Sequence, residues 1–269
     1  MPIANHLTGN AALAMFNLAG RTALVTGARR GIGRAIAVAL AAQGAAIAIH
    51  HAGADAEEHE DAASVLAEIT ATGGKGVIFA ANLANAGAGL ALAARIGAEL
   101  ALVDILVLNA SIELVEDYTE VTTEHFDRQV AVNLRAPLEL LQALLPGMKS
   151  RGWGRVVGIG SIQQMRPARD MMVYAGSKAM QLNWIANLAR QVAGSGVTAN
   201  NLAPGAIWTA RNDARMSDPE HRAQMEARIP VGRLGRADDL VGAALLFCSD
   251  AGQYINGANL FVDGGLSVT

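Results

Sequence analysis

Seven short apolar runs, each four to six residues long, alternate with helix-length segments along most of this 269-residue chain. The runs are Thr22–Thr26, Ala45–His50, Gly76–Ala80, Asp104–Leu108, Arg155–Gly160, Val197–Leu202 and Asn259–Val262. Several are continuously apolar instead of alternating, as strands buried on both faces must be. Helix candidates lie at 32–43, 56–72, 87–100, 122–150, 172–193 and 237–248, with Gly44, Gly194 and Gly196 closing two of them. The alternation predicts an α/β fold: a mostly parallel, doubly wound sheet with helices on both faces. No Pro/Ser-rich linker or internal repeat divides the chain, so one domain is expected over 19–269, after an arm at 1–18. Residues 203–236 form the longest stretch without a strand. They follow the sixth run, at the sheet edge where ligands bind, and predict a substrate lid over 206–236.

Composition removes several classes of function. The chain is 52% hydrophobic and 17% charged, which excludes a disordered tail. No apolar run reaches the roughly 20 residues of a membrane span. A net charge of −3 with scattered arginines shows no footprint for nucleic acid or anionic lipid. The single cysteine, Cys248, excludes an internal disulfide and reads as a core thiol. The six histidines lack metal-ligand spacing, so no metal site is expected. No Lys or Arg precedes Arg21, so a secretory leader is not expected and a cytoplasmic location is.

Thr26-Gly27-Ala28-Arg29-Arg30-Gly31-Ile32-Gly33 joins the first strand to the first helix. Gly27 permits a tight turn, Gly31 lets backbone approach a pyrophosphate, and Gly33 lets the helix pack on the sheet. Free N–H groups and the positive end of the helix dipole then face the phosphates. With Arg29, Arg30 and Ile32, these glycines form the expected cofactor loop. An NAD site usually carries Asp or Glu at the end of the second strand, to bind the ribose 2′-hydroxyl. Here that strand ends in His50-His51-Ala52-Gly53, and Asp55 lies beyond the turn. Arg30 in the loop, with His51 at the strand end, favours NADP(H) over NAD(H).

Tyr174 and Lys178 are spaced i, i+4, so both project from one face of the fifth helix. A nearby ammonium favours the phenolate, which suits the pair to acid–base work at a carbonyl or alcohol. With three tyrosines and three lysines in the chain, chance gives such a pair roughly three times in a hundred. Ser161 ends the preceding strand, where a hydroxyl can hydrogen-bond a substrate oxygen as charge develops. No GxSxG elbow surrounds it, which argues against a serine hydrolase.

Together Gly27-xxx-Gly31-x-Gly33, Ser161, Tyr174-xxx-Lys178 and Pro204-Gly205 resemble the short-chain dehydrogenase/reductase family, from about Phe16 to Val268. The resemblance implies a single Rossmann-like domain of about seven parallel strands, a small-molecule substrate and a homotetramer. It makes Tyr174 the catalytic acid/base, Ser161 the orienting hydroxyl, and Lys178 the residue on the nicotinamide ribose. Asn133 resembles the helix asparagine that holds a relay water. Pro204, Gly205, Ile207 and Thr209 resemble the segment beside the nicotinamide. Asn109 and Ala110 are expected to border the adenosine ribose, and Asn82 and Leu83 the adenine. Two departures stand out: Leu108-Asn109-Ala110-Ser111 replaces the common Asn-Asn-Ala-Gly, and Asn82-Leu83 replaces Asp-Val.

For the substrate, Gln163 after Ser161 and Arg211 in the lid are the candidate contacts, beside Ser161 and Tyr174. The opening Phe16–Gly20 and the closing stretch from Leu240 to Gly265 are similar to gluconate 5-dehydrogenases and to 3-oxoacyl-carrier-protein reductases. The reading leans to hydride transfer between nicotinamide and a sugar acid or polyol, with 3-oxoacyl-carrier-protein reduction as the alternative. A non-catalytic nucleotide-sensing regulator is the alternative of another class. Retention of Asn133, Ser161, Tyr174 and Lys178 together speaks against it.

Overall fold

Successive residues of the central strands point to opposite faces of the sheet, and both faces are apolar. Ala23 and Val25 of β1 (Thr22–Val25) join one buried cluster, while Leu24 between them joins the other. Burying each such Val or Leu contributes about 1.5–3 kcal/mol. The computed structural model describes residues 9–269. The remaining strands are β2 (Ala46–His51), β3 (Lys75–Ala80), β4 (Ile105–Leu108), β5 (Gly154–Ile159), β6 (Val197–Pro204) and β7 (Asn259–Val262). All pair in parallel, in the order β3-β2-β1-β4-β5-β6-β7. This is the doubly wound, Rossmann-like α/β fold expected from the apolar runs.

Helices α2 (Gly31–Ala42), α3 (Ala56–Ala71) and α10 (Val241–Cys248) cover one face through residues such as Ile36, Val65 and Phe247. Helices α4 (Ala88–Glu99), α6 (Ala136–Ser150) and α7 (Met172–Val192) cover the other through Ile96, Leu140 and Ile185. Glu139 on α6 accepts from the amides of Gly87 (2.8 Å) and Gly89 (2.9 Å), capping α4 from outside its own chain segment. Cys248 is buried, and burial pushes its thiol up to about 12, so it stays protonated in the core.

Three features depart from the expected pattern. Residues 122–150 do not form one regular helix. Helix α5 (Thr123–Val130), capped by Thr122, passes into α6 through a π-helical turn at Ala131–Arg135. The segment 203–236 carries two short helices, α8 (Asp213–Met216) and α9 (Pro219–Ala227). It packs on the domain through Met216, Ile229 and Leu234 against Ile162 and Leu266. Of the expected arm, residues 1–8 lie outside the described residues, but α1 (Gly9–Ala14) falls within it. Leu18 is 1% exposed and its N–H donates to Gln43 O, so the packed domain begins before residue 19. Among the described residues, no helix is long and apolar enough to cross a membrane.

Candidate active site

The strand order reverses between β1 and β4, and the glycine turn sits at that crevice. Gly27 (φ +66°) and Gly31 (φ +57°) adopt left-handed backbone, which accounts for glycine at both. A Cβ at Gly33 would lie 2.4 Å from Gly27 O, so only glycine lets α2 start this close to the strand. Arg30, at the N-cap of α2, makes no side-chain cap, leaving the first amides of the helix open to an anion. The turn is gripped from three sides. His50 Nδ1 accepts from Gly27 N at 3.1 Å while its Nε2 bonds Ala81 O at 2.9 Å. Asn109 Nδ2 donates to Thr26 O (2.8 Å) and Gly27 O (3.1 Å). Thr26 Oγ1 accepts from the backbone N–H groups of Asn109 and Ala110. Burial lowers His50 to about 4, which keeps the imidazole neutral and able to accept from Gly27. This open, glycine-lined crevice fits a dinucleotide on geometry alone. It continues as a cleft of about 1130 Å³.

At its adenosine end the structure corrects one expectation. An acid does reach the end of β2: Glu58, from the first turn of α3, folds back over it. Its carboxylate accepts from Gly53 N (2.8 Å) and Ala54 N (3.1 Å) and lies 3.2 Å from Arg29. Those amides and the Arg29 guanidinium outweigh desolvation and hold Glu58 below the usual carboxylate range. Arg29 also pairs with Asp61, so its charge is spent within the protein. Arg30 is exposed and makes no ion pair among the described residues. His51 is buried, its Nδ1 accepting from Gly53 N, with Nε2 unpartnered. Ile32, Asn82 and Leu83 line the same cleft, and Asn82 Oδ1 already accepts from Ala84 N.

At the other end Tyr174 and Lys178 share the inner face of α7, with Lys178 Nζ 5.7 Å from the Tyr174 ring centroid. Lys178 Nζ donates to Ile159 O at 2.7 Å. Ser161, immediately after β5, caps a short 3₁₀ turn, its hydroxyl accepting from Gln163 N. Burial pushes the Tyr174 phenol up to about 12, with Glu113 adding to the rise. Arg211 and the Ser161 hydroxyl pull it the other way. Burial also lowers Lys178 to about 7. Desolvation therefore dominates both groups, and it keeps the Tyr174 phenol protonated. Asn133 lies in the π-helical turn. Its side chain accepts from Ile112 N (2.8 Å) and donates to Ile112 O (2.9 Å) and Ser177 Oγ (3.1 Å).

Pro204, Gly205, Ile207 and Thr209 line the same cleft, with Thr209 beside Gly31 of the glycine turn. Asn212, absent from the sequence reading, braces them by accepting from Thr209 N (2.9 Å) and donating to Ile207 O (2.9 Å). Arg211 reaches across the cleft to Ser111 O (2.9 Å) and lies 3.8 Å from Glu113. Gln163 lines the cleft, its side-chain carbonyl accepting from Ala168 N. Arg166, Arg215, His221 and Arg228 also line this end, against the acids Glu113 and Asp170. Glu58, Glu113 and Asn212 were not singled out from sequence. Only the i, i+3 pair Asp55–Glu58, a helix-start signature, marked one of them.

Comparison with known proteins agrees with this geometry. Residues 27–267 match the family model described as enoyl-(acyl carrier protein) reductase. An L-rhamnose 1-dehydrogenase (NAD(P)(+)) of Azotobacter vinelandii is 36% identical over 252 residues, covering 93% of this chain and 98% of that protein. A crystal structure of a 3-oxoacyl (acyl-carrier-protein) reductase from Agrobacterium tumefaciens with NADP bound has a TM-score of 0.87 and 43% identity, covering 93% of this chain and 96% of that one. A gluconate 5-dehydrogenase from Burkholderia cenocepacia, in complex with NADP and tartrate, has a TM-score of 0.88 and 32% identity, covering 96% of this chain and 99% of that one.

Proposed function

This chain belongs to the short-chain dehydrogenase/reductase family, an NAD(P)-dependent oxidoreductase acting on CH–OH groups, and from that premise we propose a site, a substrate class and an assembly. The observation that carries the reading is that Tyr174, with the Ser161 hydroxyl bonded to its phenol, lines the same cleft as the glycine turn. In carbonyl reduction the Tyr174 phenol gives its proton to the substrate oxygen, while the Ser161 hydroxyl hydrogen-bonds the same oxygen. In oxidation Tyr174 takes that proton back. When bound, the nicotinamide supplies or accepts the hydride. Lys178, anchored on Ile159 O, holds the nicotinamide ribose beside the phenol. The Asn133 side chain is occupied by Ile112 and Ser177, so the main chain of the π-helical turn holds the relay water.

Because burial pushes Tyr174 up to about 12, the two directions should answer pH with opposite signs. Reduction needs the neutral phenol, which persists through neutral pH. Oxidation needs the phenolate, whose fraction grows about tenfold per pH unit below the pKa. Oxidation rates should therefore climb with pH while reduction does not. Initial rates across pH in both directions check this, and a flat oxidation profile assigns the proton step elsewhere.

The substrate we infer is a small sugar acid or polyol. Arg166, Arg211, Arg215 and Arg228 offer charge-assisted donors to a carboxylate, and Glu113 and Asp170 offer acceptors to hydroxyls. The gluconate and rhamnose dehydrogenase relatives support the same class. The 3-oxoacyl-carrier-protein reductase relative, at 43% identity, favours a second reading. The charged lining fits a long acyl chain poorly. A panel of sugar acids, sugars, polyols and β-ketoesters with both cofactors, followed by nicotinamide absorbance, decides between them. Turnover of β-ketoesters alone overturns the sugar-acid reading. A reaction that draws on freely exchanging dinucleotide fits a cytoplasmic protein.

For the assembly we propose a homotetramer. Phe126, Leu138, Met172 and Met180 on α5–α7 are exposed, enough to form an apolar face for a second copy. Leu140 takes no part in that face, since it is fully buried against the sheet, and Leu144 and Leu188 pack on the same core. Light scattering should return four chains per particle, and a monomer at micromolar concentration refutes the proposal.

A further inference from the structure

We propose that three buried amide side chains, Gln181, Asn201 and Gln164, and the half-buried Asn259 form a positioning chain that ties Lys178 to the backbone of Ser161. Lys178 Nζ lies 3.4 Å from Gln181 Oε1, and Gln181 Nε2 donates to Asn201 Oδ1 at 3.4 Å. Asn201 Nδ2 donates to Asn259 Oδ1 (2.8 Å) and Gln164 Oε1 (3.2 Å). Gln164 Nε2 also reaches Asn259 Oδ1 (2.8 Å), and Gln164 Oε1 accepts from Ser161 N at 3.5 Å. The chain thus leaves the lysine, crosses β6 to β7, and returns to the residue beside the expected substrate oxygen.

The sheet is cut to make room for it. Gly158, Asn201 and Asn259 stand in register on β5, β6 and β7. A Cβ at Gly158 would lie 2.7 Å from Gln181 Nε2. One at Gly160 would lie 2.5 Å from both Asn201 Nδ2 and Gln164 Oε1. Gln164, Gln181 and Asn201 are at most 8% exposed, and none of the four residues has an orphaned polar atom among the described residues. Apolar side chains in the same slot would pack without needing partners, so a satisfied amide chain here adds specification more than stability.

What it specifies is where an ammonium can sit. Lys178 is buried, and its own backbone acceptor, Ile159 O, satisfies one of three protons. Gln181 Oε1 is the other protein acceptor, and Asn201 fixes its orientation. The charged and titratable groups facing Lys178 are Tyr174 on its own helix, Glu113 after β4 and Arg211 after β6. None of them belongs to the amide chain, so amide substitutions leave those charges in place.

The inference rests on the reading of Tyr174 and Lys178 as a working pair, and its test is separable from that reading. The chain has three lysines, Lys75, Lys149 and Lys178, so lysine-labelled protein gives three side-chain resonances whose titration is followed without cofactor. In Gln181→Leu and in Asn201→Ala the Lys178 midpoint should fall by about one pKa unit, because the ammonium loses an oriented acceptor. The double variant should fall no further, since both act through one chain. Gln181→Glu, which keeps an acceptor oxygen, should not lower it. If Asn201→Ala does not fold, Asn259→Thr at the half-buried end of the chain should shift the midpoint in the same direction. A midpoint unchanged in folded Gln181→Leu and Asn201→Ala, with melting temperature alone reduced, overturns the proposal and makes the amides packing residues. If the midpoint moves but Tyr174→Phe stays active, the reading of the pair fails while the chain stands.

Discussion

Replacing Tyr174 by phenylalanine should lower turnover by about 10²- to 10⁴-fold in either direction, the usual worth of a positioned acid–base group. The ring and its burial among α7 neighbours are kept, so folding and cofactor affinity should stay near those of the unmodified protein. Only the phenolic proton is removed. Ser161 cannot substitute, because an alkyl hydroxyl donates a hydrogen bond but is a far weaker acid than a phenol. Steady-state rates paired with cofactor titration separate the outcomes. Turnover within about tenfold of the parent means the proton comes from another group. Lost cofactor affinity with lost turnover means a structural role.

Arg30→Ala should weaken NADPH binding by about 10- to 150-fold and leave NADH unchanged, the range for one charge-assisted hydrogen bond. Arg29 is neutralised by Glu58 and Asp61, whereas Arg30 is exposed at the start of α2 and has no ion pair among the described residues. The open first amides of α2 would meet the pyrophosphate, which both cofactors share. Glu58 presses in the opposite direction, because its carboxylate sits on the Gly53 and Ala54 amides just after β2, where an acid disfavours a 2′-phosphate. Fluorescence titration of both reduced cofactors resolves the contest. Equal affinities in the parent, or a loss shared by NADH, would show that Arg30 faces solvent and that Glu58 sets the choice.

Local signals explain how much of this could be read in advance. The strands announced themselves as apolar runs because both sheet faces are covered, and the bounds moved by no more than two residues at either end. The glycine turn and the Tyr174–Lys178 pair were legible because each is a short motif whose geometry follows from spacing. Glu58 was missed because it sits seven residues beyond the strand it serves, brought back by the turn at Gly53. The amide chain draws on β5, β6, β7, α7 and a 3₁₀ turn, a grouping that only tertiary structure assembles. Its one visible trace was Asn200-Asn201 inside an otherwise apolar strand. The π-helical turn left no trace, since Ala131-Val132-Asn133-Leu134-Arg135 is unremarkable in a helix.

That turn gears two jobs to a single shaft. A regular α-helix advances about 100° per residue. The surplus residue absorbed at Ala131–Arg135 sets the phase between the half that presents Asn133 to Ile112 and the half that presents Leu140 to the sheet. Were all five residues to wind as regular α-helix, at about 100° each against the smaller step of a π turn, α6 would rotate against α5 by nearly one residue's step. Leu140 would then swing off the sheet, and Glu139 would leave the amides of Gly87 and Gly89. The wide pitch at this point is therefore what holds both ends in phase: a regular α-helical path through the same five residues would disengage α4 and the site together.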